Sequence, residues 1–347
     1  MRSIRFLAIA SLITWITVCM PLAVLLSWLL NSHTPSAILY SAITTPVVTL
    51  WLRHAMQSVN GLHKWPAEQW IGAGTILLSV VILCSPLLYF LTPGIVGAIA
   101  LLIWILLCVY GAFAATRIHN KNLSITSAKL NRQYRFVQLS DLHAGSRSNK
   151  FIRKAVEQAK SHQPEAVFIT GDLLDSSSVD QHTLQPLAEF ECPVYMCIGN
   201  HERYVDLPAA IRSIEHNRVE VLRDSSQYFE SLNIIGIDDA DDRQQVAKQL
   251  PIISTDSTHY QILLYHKPDG WIHACDHGID LMLAGHTHGG QIWPFGYLVK
   301  LRFKEFLGHY QRDNCHLYVS PGTGTWGPTL RLGTRCEMTI LDLAPAA

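Results

Sequence analysis

The sequence predicts an α/β domain that follows a block of apolar helices. Two long runs, residues 6–52 and 69–116, contain no Asp, Glu, Lys or Arg. From about residue 135, short apolar runs alternate with amphipathic stretches, as strands alternate with helices in α/β proteins. The formal net charge of zero hides two unlike parts, because residues 1–134 carry +7 and the remainder carries −7.

The composition excludes two broad classes of protein. Charged residues make up 16% of the 347 and hydrophobic residues 49%, whereas a disordered chain combines low hydrophobicity with high net charge. The −7 charge of the C-terminal part argues against a nuclease, because nucleic-acid binding needs clustered Lys and Arg. We therefore expect no nucleic-acid partner, and no feature identifies a protein partner.

Each charge-free run is long enough for two membrane spans of about 20 residues. Polar turns divide the runs at Asn31–Pro35 and at Leu91–Gly94. The alternative of a cleaved signal peptide over residues 1–30 is disfavoured, because its apolar core is longer than the roughly 7–15 residues expected. We predict four helices, near residues 5–30, 36–52, 70–91 and 94–116.

The Lys and Arg residues of the flanks predict the orientation of these helices. The flanks expected on one side carry Arg2, Arg5, Arg53, Lys64, Arg117, Lys121, Lys129, Arg132 and Arg135, and the two intervening turns carry none. The positive-inside rule places that side in the cytoplasm, which predicts a multi-pass inner-membrane protein whose C-terminal domain lies in the cytoplasm. Spans without charged residues are expected to anchor rather than to transport.

We expect three segments: a transmembrane anchor at 1–116, a basic linker at 117–134 and a soluble domain at 135–347. The eight cysteines show no CxxC or zinc-ribbon spacing. Scattered thiols of this kind fit a reducing compartment.

In the soluble domain, polar loops follow the predicted strands. The strands are predicted at 136–139, 166–170, 194–198, 261–265 and 281–284, and helices at 150–162, 183–190, 208–217 and 241–250. Sites in α/β sheets form beyond the carboxyl ends of the strands, so these loops can converge.

The loops supply carboxylates, imidazoles and one amide, with no thiolate. The candidate residues are Asp141, His143, Asp172, Asn200, His201, His266, His286 and His288. Mixed nitrogen and oxygen donors suit Mn, Fe or Zn rather than a structural zinc site. Two metal ions about 3.5–4 Å apart need roughly this many ligands, with one carboxylate bridging them.

The order of these motifs resembles the calcineurin-like metallophosphoesterase superfamily over about residues 134–343. The quoted motifs are Asp141-x-His143, Gly171-Asp172, Gly199-Asn-His-Glu202, His266 and Gly285-His-x-His288. The extended motif Gly285-His-Thr-His-Gly-Gly-Gln-Ile292, with Gly322, Leu330-Arg-Leu-Gly-Thr334 and Glu337, resembles a bacterial membrane-associated subgroup. That subgroup includes UDP-2,3-diacylglucosamine hydrolases and integral-membrane phosphoesterases.

The resemblance implies a four-layer αββα sandwich and a role for each residue. Asp141, His143 and His288 would bind the first metal ion. Asn200, His266 and His286 would bind the second, and Asp172 would bridge both. His201 would not be a ligand and would lie beside the substrate phosphate. Two departures from the family pattern, Lys267 and Cys336, remove no ligand; we interpret Lys267 as a surface residue, the alternative being an effect on substrate preference.

The implied activity is hydrolysis of a phosphoester or pyrophosphate bond by a hydroxide that bridges two divalent ions. His201 is then expected to protonate the leaving oxygen or to bind a phosphate oxygen. Three alternatives remain: a phosphodiesterase for small soluble substrates, a non-enzymatic membrane sensor or assembly protein that uses the metal domain as a binding platform, and a decayed scaffold.

The stretch 292–307 suggests a substrate class. It combines large apolar and aromatic residues with Lys300, Arg302 and Lys304, as interfacial segments do. This favours a lipid or lipid-linked phosphoester as substrate. The alternative is an ordinary strand at Val299–Lys304, because apolar and basic residues alternate there.

Overall fold

The computed structural model describes residues 2–56, 64–175 and 181–346. Residues 57–63, which are part of the predicted loop between the second and third spans, lie outside the described residues. The chain divides into two compact units. The first contains Met1–Ala114, Ile292–Pro294 and Gly327–Gly333, and the second contains Ala115–Gln291, Phe295–Trp326 and Thr334–Ala347.

The first unit is helical. Its helices are Arg2–Thr14 (α1), Met20–Leu29 (α2), Thr34–Met56 (α3), Lys64–Cys84 (α4) and Pro93–Ala114 (α5), with a π-helical turn at Trp15–Cys19 and a 3-10 turn at Ser85–Tyr89. Among the described residues, four stretches are long and apolar enough to cross a membrane: Leu7–Leu29, Thr34–Ala55, Pro66–Tyr89 and Pro93–Ala114. The prediction of four apolar helices is therefore confirmed.

Buried hydroxyl groups in the first unit are satisfied within their own helices. In α3, the hydroxyl of Thr45 donates to the Ser41 carbonyl (2.7 Å) and that of Thr49 donates to the Thr45 carbonyl (2.9 Å). The hydroxyl of Thr75 in α4 donates to the Ile71 carbonyl in the same way (3.0 Å). Such local bonds let polar side chains lie in apolar helices without a distant partner.

Two short segments from late in the sequence pack within the helical unit, although the sequence analysis assigns them to the soluble domain. The side-chain oxygen of Gln69 accepts hydrogen bonds from the backbone N–H (3.1 Å) and the hydroxyl (3.0 Å) of Thr329. The backbone N–H of Arg331 donates to the Gly111 carbonyl (2.9 Å). These contacts depend on residues more than 200 positions apart, which no local pattern reports.

The second unit contains two six-stranded sheets. In chain order its strands are Ile118–Ser127 (β1), Tyr134–Leu139 (β2), Ala166–Thr170 (β3), Val194–Cys197 (β4), Val219–Val221 (β5), Ser225–Phe229 (β6), Leu232–Gly236 (β7), Tyr260–Leu264 (β8), Leu281–Ala284 (β9), Gly308–Arg312 (β10), Cys315–Val319 (β11) and Cys336–Pro345 (β12). The spatial orders are β1-β12-β2-β3-β4-β5 and β10-β11-β9-β8-β7-β6. Strands β2 to β5 are parallel, as are β7, β8, β9 and β11.

Helices cover both outer faces of the paired sheets. The helices of this unit are Asn149–Lys160 (α6), Gln181–Leu184 (α7), Asn200–Tyr204 (α8), Leu207–His216 (α9), Gln245–Gln249 (α10), Trp271–Asp276 (α11) and Phe295–Arg302 (α12). One apolar cluster joins α6 to the first sheet through Ile152 and Val156, and another joins α11 to the second sheet through Trp271. A third, around Phe136 and Ile262, lies between the sheets. The unit is the expected four-layer αββα sandwich.

The segment expected to be a linker contains an edge strand. Strand β1 pairs in parallel with β12, with Ile118 opposite Cys336 and Ile125 opposite Leu343. Its side chains are mostly exposed or half-buried, as suits the edge of a sheet. The polar composition that suggested a linker therefore reflects an exposed strand, whose partner lies more than 200 residues away.

A disulfide joins Cys275 at the end of α11 to Cys315 at the start of β11, with 5.5 Å between their Cα atoms. These two residues are 40 positions apart, so short cysteine spacings such as CxxC do not indicate their bond. Disulfides persist mainly in oxidising compartments. Scattered cysteines therefore no longer support the expectation of a reducing compartment, because two of them form a disulfide.

Residues Phe295–Arg302 form a helix, so the strand alternative for Val299–Lys304 is wrong. No residue of α12 is buried, and the exposed fractions are 69% for Tyr297, 60% for Leu298 and 84% for Leu301. The alternation of apolar and basic residues is too short to decide between strand and helix. These large apolar side chains lie at the surface of the second unit rather than in its core.

Candidate metal centre

The candidate residues lie at the carboxyl ends of neighbouring strands. Leu139 of β2 is opposite Ile169 of β3, and Thr170 is opposite Cys197 of β4, so the loops after these strands begin at one edge. In the second sheet, Leu264 of β8 is opposite Leu283 of β9. The loops after β2, β3, β4, β8 and β9 carry Asp141 and His143, Asp172, Asn200 and His201, His266, and His286 and His288 respectively.

Asp141, His143 and His288 form a first cluster of metal-binding atoms. One donor atom of each lies within 4.8 Å of the others, and all three residues are buried. The Nε2 atoms of His143 and His288 are 3.1 Å apart. His288 Nε2 lies 3.3 Å from an oxygen of Asp141. These are the three residues that the family resemblance assigns to one metal ion.

Asp172, His266 and His286 form a second cluster of the same kind. The Nε2 atom of His266 lies 3.1 Å from the carboxylate of Asp172 and 3.1 Å from Nδ1 of His286. The side-chain oxygen of Asn200 is also 3.1 Å from His266 Nε2. The backbone N–H of His286 donates to the carboxylate of Asp141 (3.1 Å), so the two clusters are in contact.

The histidines are oriented as metal ligands usually are. A ligating imidazole donates its second ring N–H to a carboxylate or carbonyl, which leaves the other nitrogen free for the metal. His143 uses Nδ1 to contact Asp175 (2.5 Å), and His266 uses Nδ1 to contact the Thr170 carbonyl (2.8 Å). Their Nε2 atoms therefore face the other donors of each cluster.

Donor separations also fit a metal ion. Zinc-like bonds of about 2.0–2.2 Å at tetrahedral or octahedral angles place neighbouring ligands roughly 2.8–3.6 Å apart. The separations of 3.1–3.3 Å within both clusters lie in this range. The donor residues of each cluster therefore fit a divalent cation.

Electrostatics in the site favour bound positive charge. Burial alone would lower the pKa of His143, but the charge and hydrogen bond of Asp175 raise it to about 9. Burial opposes the same shift in His266, where Asp172 raises the pKa to about 10. Burial would raise the pKa of Asp172, yet His266 lowers it to about 2. Burial and the charge of His266 lower the pKa of His286 to about 3, so its ring is neutral at pH 7 and able to act as a ligand.

The backbone is strained where the donors lie. Left-handed φ angles between 50° and 70° occur at Asp141, His143, Asp172, His286 and His288. A residue with a side chain adopts this conformation at a cost of about 1–3 kcal/mol. Five such residues in one site indicate that the fold imposes these turns to aim the donors inward.

Two glycines let backbone pass close to the carboxylates. A Cβ atom on Gly285 would lie 2.3 Å from an oxygen of Asp141, and one on Gly199 would lie 2.2 Å from an oxygen of Asp172. Both distances are far shorter than carbon and oxygen atoms that are not bonded to each other can approach. Gly285 and Gly199 are therefore needed so that the backbone can pass close to the carboxylates of Asp141 and Asp172, not for flexibility.

Asp175 is a residue of the site that the sequence analysis missed. One oxygen of its carboxylate contacts Nδ1 of His143 (2.5 Å) and Nδ1 of His201 (2.7 Å). It thereby links a first-cluster donor to His201, whose Nε2 lies 3.9 Å from Asp172. The sequence feature that could have indicated this role is the second aspartate of Gly171-Asp-Leu-Leu-Asp175. It follows Asp172 by only three residues, so a short loop can bring both carboxylates to the site.

Glu202, the last residue of the Gly199-Asn-His-Glu202 motif, joins the loops after β3 and β4 by hydrogen bonds. It is fully buried and accepts backbone hydrogen bonds from Asp172 (3.0 Å), Leu174 (2.9 Å) and Gly199 (2.7 Å). Three N–H groups that strand ends leave without partners are satisfied in this way. The carboxylate therefore holds the loops after β3 and β4 together.

The interpretation of Lys267 as a surface residue is wrong. Its ammonium group lies 2.9 Å from the buried carboxylate of Asp239, and its side chain is only 11% exposed. Arg203 of α8 contacts the same carboxylate at 2.8 Å. Lys267 therefore compensates a buried charge beside the His266 loop, which sequence position alone could not reveal.

Exposed aromatic rings border His201. Tyr204 lies 5.6 Å and Trp326 lies 6.2 Å from the His201 ring, measured between ring centroids. Their exposed fractions are 70% and 56%. His201 itself remains partly accessible, with 16% of its side chain exposed. The site is thus open to a substrate on its aromatic side.

Comparison with known proteins agrees with this geometry. Residues 134–290 match the family described as Calcineurin-like phosphoesterase. The chain is 32% identical over 233 residues to a protein of Campylobacter jejuni described as an uncharacterized metallophosphoesterase, a match that covers 64% of this chain and 62% of that protein. A Helicobacter pylori protein with the same description is 32% identical over 235 residues, 65% of this chain and 64% of its own length. The chain thus spans just under two thirds of the length of these relatives.

A longer match comes from Danio rerio. A protein described as a transmembrane protein with metallophosphoesterase domain is 30% identical over 346 residues, covering 90% of this chain and 75% of its own. Among solved structures, a Mycobacterium tuberculosis phosphopantetheinyl hydrolase gives a TM-score of 0.38 at 12% identity, covering 58% of this chain and 96% of that one.

The calcineurin-like fold typically binds divalent metals, and the His/Asp clusters of this chain are candidate binding sites for them. The Danio rerio match covers 90% of this chain, which is more than the second unit alone contains. The match therefore includes part of the apolar helices. The chain belongs to the calcineurin-like metallophosphoesterase family, in a form that carries four apolar helices before its phosphoesterase domain.

Proposed function

We propose that the chain is a membrane-anchored hydrolase that uses two divalent ions (Mn, Fe or Zn) to cleave a phosphoester or pyrophosphate bond. The main support is the pair of clusters, each with three His or Asp donors, at one edge of the paired sheets. Asp141, His143 and His288 would hold one ion, with Asn200, His266 and His286 holding the other. Asp172 would serve both. Residues 1–116 would be the anchor and residues 135–347 the catalytic domain.

When bound, such ions supply a nucleophile from water near neutral pH and neutralise charge on the phosphoryl oxygens. The protein's own contribution is to fix the donors. Asp175 and the Thr170 carbonyl hold the rings of His143 and His266 so that Nε2 of each faces inward. Glu202 anchors the loop that carries Asp172.

We propose that His201 supplies a proton. Its Nδ1 is engaged by Asp175 at 2.7 Å, so Nε2 is the atom left to face a substrate. A protonated ring at this position would transfer its Nε2 proton to the leaving oxygen. General acid catalysis of this kind contributes about 10²–10⁴-fold.

The test is hydrolysis of bis(p-nitrophenyl) phosphate by the purified full chain with Mn²⁺. Asp172→Ala should reduce turnover by about 10³-fold or more, because the loss of a metal ligand removes several kcal/mol of transition-state stabilisation. Asp242→Ala, which removes an exposed carboxylate paired with Lys248, is the matched control and should leave turnover unchanged. Undiminished turnover in Asp172→Ala would contradict the metal assignment.

We further propose that the substrate is a lipid or lipid-linked phosphoester. Helix α12 presents Tyr297, Leu298 and Leu301 to solvent beside Lys300, a composition suited to a membrane interface. Exposed Tyr204 and Trp326 add apolar surface next to His201. A large exposed apolar patch on a soluble unit usually marks a binding surface.

The lipid proposal is tested by replacing Leu298 and Leu301 with Lys in one variant. Turnover of phospholipid phosphoesters in mixed vesicles should fall several-fold, while turnover of bis(p-nitrophenyl) phosphate stays the same. Tyr228→Lys, at another exposed position of the second unit, is the control. Equal turnover of vesicle substrate by variant and control, with soluble diesters cleaved efficiently, would favour a small soluble substrate.

The orientation remains the one proposed from the Lys and Arg flanks, with the catalytic unit in the cytoplasm. The Cys275–Cys315 disulfide favours the opposite side, because such bonds persist in oxidising compartments. C-terminal fusions decide between them in bacterial cells. Fluorescence of a fused green fluorescent protein supports the cytoplasm, and activity of fused alkaline phosphatase supports the periplasm.

A further inference from the structure

A cavity of about 240 Å³ lies in the phosphoesterase unit, apart from the two donor clusters. Residues 268–273, which follow the His266 loop, form one wall, and residues 303–305, which follow α12, form another. Arg243 completes the lining. The volume is below the roughly 300–1,000 Å³ of pockets for drug-sized ligands, so a phosphate or a single sugar is the suitable size.

The cavity adjoins the metal centre through one side chain. Phe303 lines the cavity, and its ring centroid is 5.3 Å from that of His286, a donor of the second cluster. The chain also reaches the cavity at Pro268, two residues after His266. The cavity therefore lies beside the second cluster, with the ring of Phe303 between them.

One side chain that lines the cavity carries a hydrogen-bond donor without an acceptor among the described residues. Trp271 is 7% exposed, and its indole N–H has no acceptor within the part of the chain that the structure describes. A buried donor without an acceptor costs about 1–3 kcal/mol, so an acceptor supplied by a ligand would be stabilising. Tyr310, whose ring lies near Trp271, offers no bond to the indole N–H.

Charge in the cavity is slightly positive. Arg243 and Lys304 are exposed and form no ion pair among the described residues. Of the two acids, Asp269 is neutralised by both terminal nitrogens of Arg302 (3.2 and 3.0 Å), which leaves Glu305. Two cations and an indole N–H thus oppose one carboxylate, an arrangement that suits an anion carrying a hydroxyl group.

We propose that this cavity binds a second phosphate group of the substrate, beyond the phosphorus that is hydrolysed. This inference rests on the proposed phosphoesterase function and specifies its substrate class as a compound with two phosphoryl groups joined through a small polar spacer such as a sugar. Arg243, Trp271 and Lys304 would bind the oxygens of the second group, and Glu305 would accept from a hydroxyl of the spacer.

Binding of two matched probes tests the proposal. Titration calorimetry on the Mn²⁺-loaded full chain in detergent compares fructose 1,6-bisphosphate with fructose 6-phosphate. The bisphosphate should bind at least tenfold more tightly. The Arg243→Ala/Lys304→Ala double variant should lose that difference, and Arg212→Ala, which removes an exposed arginine elsewhere, should keep it. Equal affinities in the unaltered protein, or a difference that survives the double variant, would overturn the proposal.

A second measurement separates this proposal from the proposed function. In protein labelled with ¹⁵N-tryptophan, the indole resonance assigned by Trp271→Phe should shift on adding the bisphosphate. A shift without any hydrolysis of bis(p-nitrophenyl) phosphate would support the cavity and contradict the hydrolase. Hydrolysis without a shift would retain the hydrolase and overturn the cavity. Because Arg243 and Lys304 are exposed, their variants should fold even if Trp271→Phe does not.

Discussion

Buried polar side chains of the two units differ in how far along the chain their hydrogen-bond partners lie. In the helical unit, the hydroxyls of Thr45, Thr49 and Thr75 each bond to a carbonyl one turn earlier in the same helix. In the phosphoesterase unit, buried polar groups such as Asp172 and His266 bond to each other across loops that follow different strands. A local partner lets a hydroxyl lie within an apolar helix, whereas Asp172 and His266 meet because the fold brings loops from separate strands together.

The largest effect on stability is expected from Glu202→Ala. Three buried N–H groups would lose their acceptor, at a cost of about 1–3 kcal/mol each. Thermal unfolding followed by circular dichroism should show a marked fall in melting temperature. Glu189→Ala, which breaks an exposed pair with Arg153, should cost less than about 1 kcal/mol. Equal losses would show that Glu202 does not hold the loops.

The next effect is a pH dependence confined to the metal-free phosphoesterase unit. His143 and His266 have pKa values raised from 6.5 to about 9 and about 10, so their stabilisation is fully present below pH 6.5. It is lost as the pH rises through 9 to 10. Melting temperatures in EDTA should therefore decline over this range.

Added Mn²⁺ should reduce that decline, because a cation then balances the carboxylates in place of the protons. The acid side behaves conversely: the pKa of Asp172 is lowered from 3.8 to about 2, so its contribution is present above pH 3.8 and lost below. A metal-free protein equally stable at pH 6 and pH 10 would contradict these ion pairs.

A smaller change is expected from Asp175→Asn. The amide oxygen can still accept from His143 and His201, but the negative charge that raises the pKa of His143 is gone. Loss of such an outer partner typically costs 10–100-fold in activity or metal affinity. Turnover and Mn²⁺ affinity should be measured beside Asp276→Asn, which alters an exposed pair with Arg312. If both variants retain full turnover and affinity, Asp175 has no positioning role.

The smallest effect on stability is expected when the same Thr→Val substitution is made in each unit. Thr49→Val removes a hydroxyl that bonds only within α3, and its cost should be near the 0.6 kcal/mol typical of hydrogen bonds in membrane helices, or about zero. Thr170→Val removes an acceptor of the buried Gln138 amide (3.0 Å) and should cost about 1–3 kcal/mol. Equal costs would remove the distinction between the units.

Sequence patterns predicted most of what is local. The four apolar helices follow from long runs without charge, and the strands that carry the donors follow from apolar runs that end in polar loops. The donors converge as expected, because parallel strands share an edge. Asp175 escaped notice because its role depends on reaching two rings from different loops.

Other features depend on distant pairing and left no local signal. Strand β1 looks like a polar linker because its partner β12 lies at the other end of the chain. The Cys275–Cys315 bond and the ion pair of Lys267 with Asp239 are equally non-local. Helix α12 was ambiguous because eight residues carry too few periods to separate strand from helix.

The left-handed turns at the five donors have a consequence for how the protein accumulates in a cell. Each turn makes the empty loops less stable, and cations that bind the folded state shift the folding equilibrium by mass action. The abundance of intact protein should then follow the supply of divalent metal during synthesis. Cells grown under metal limitation should lose more of it to proteolysis, although its transcription is unchanged.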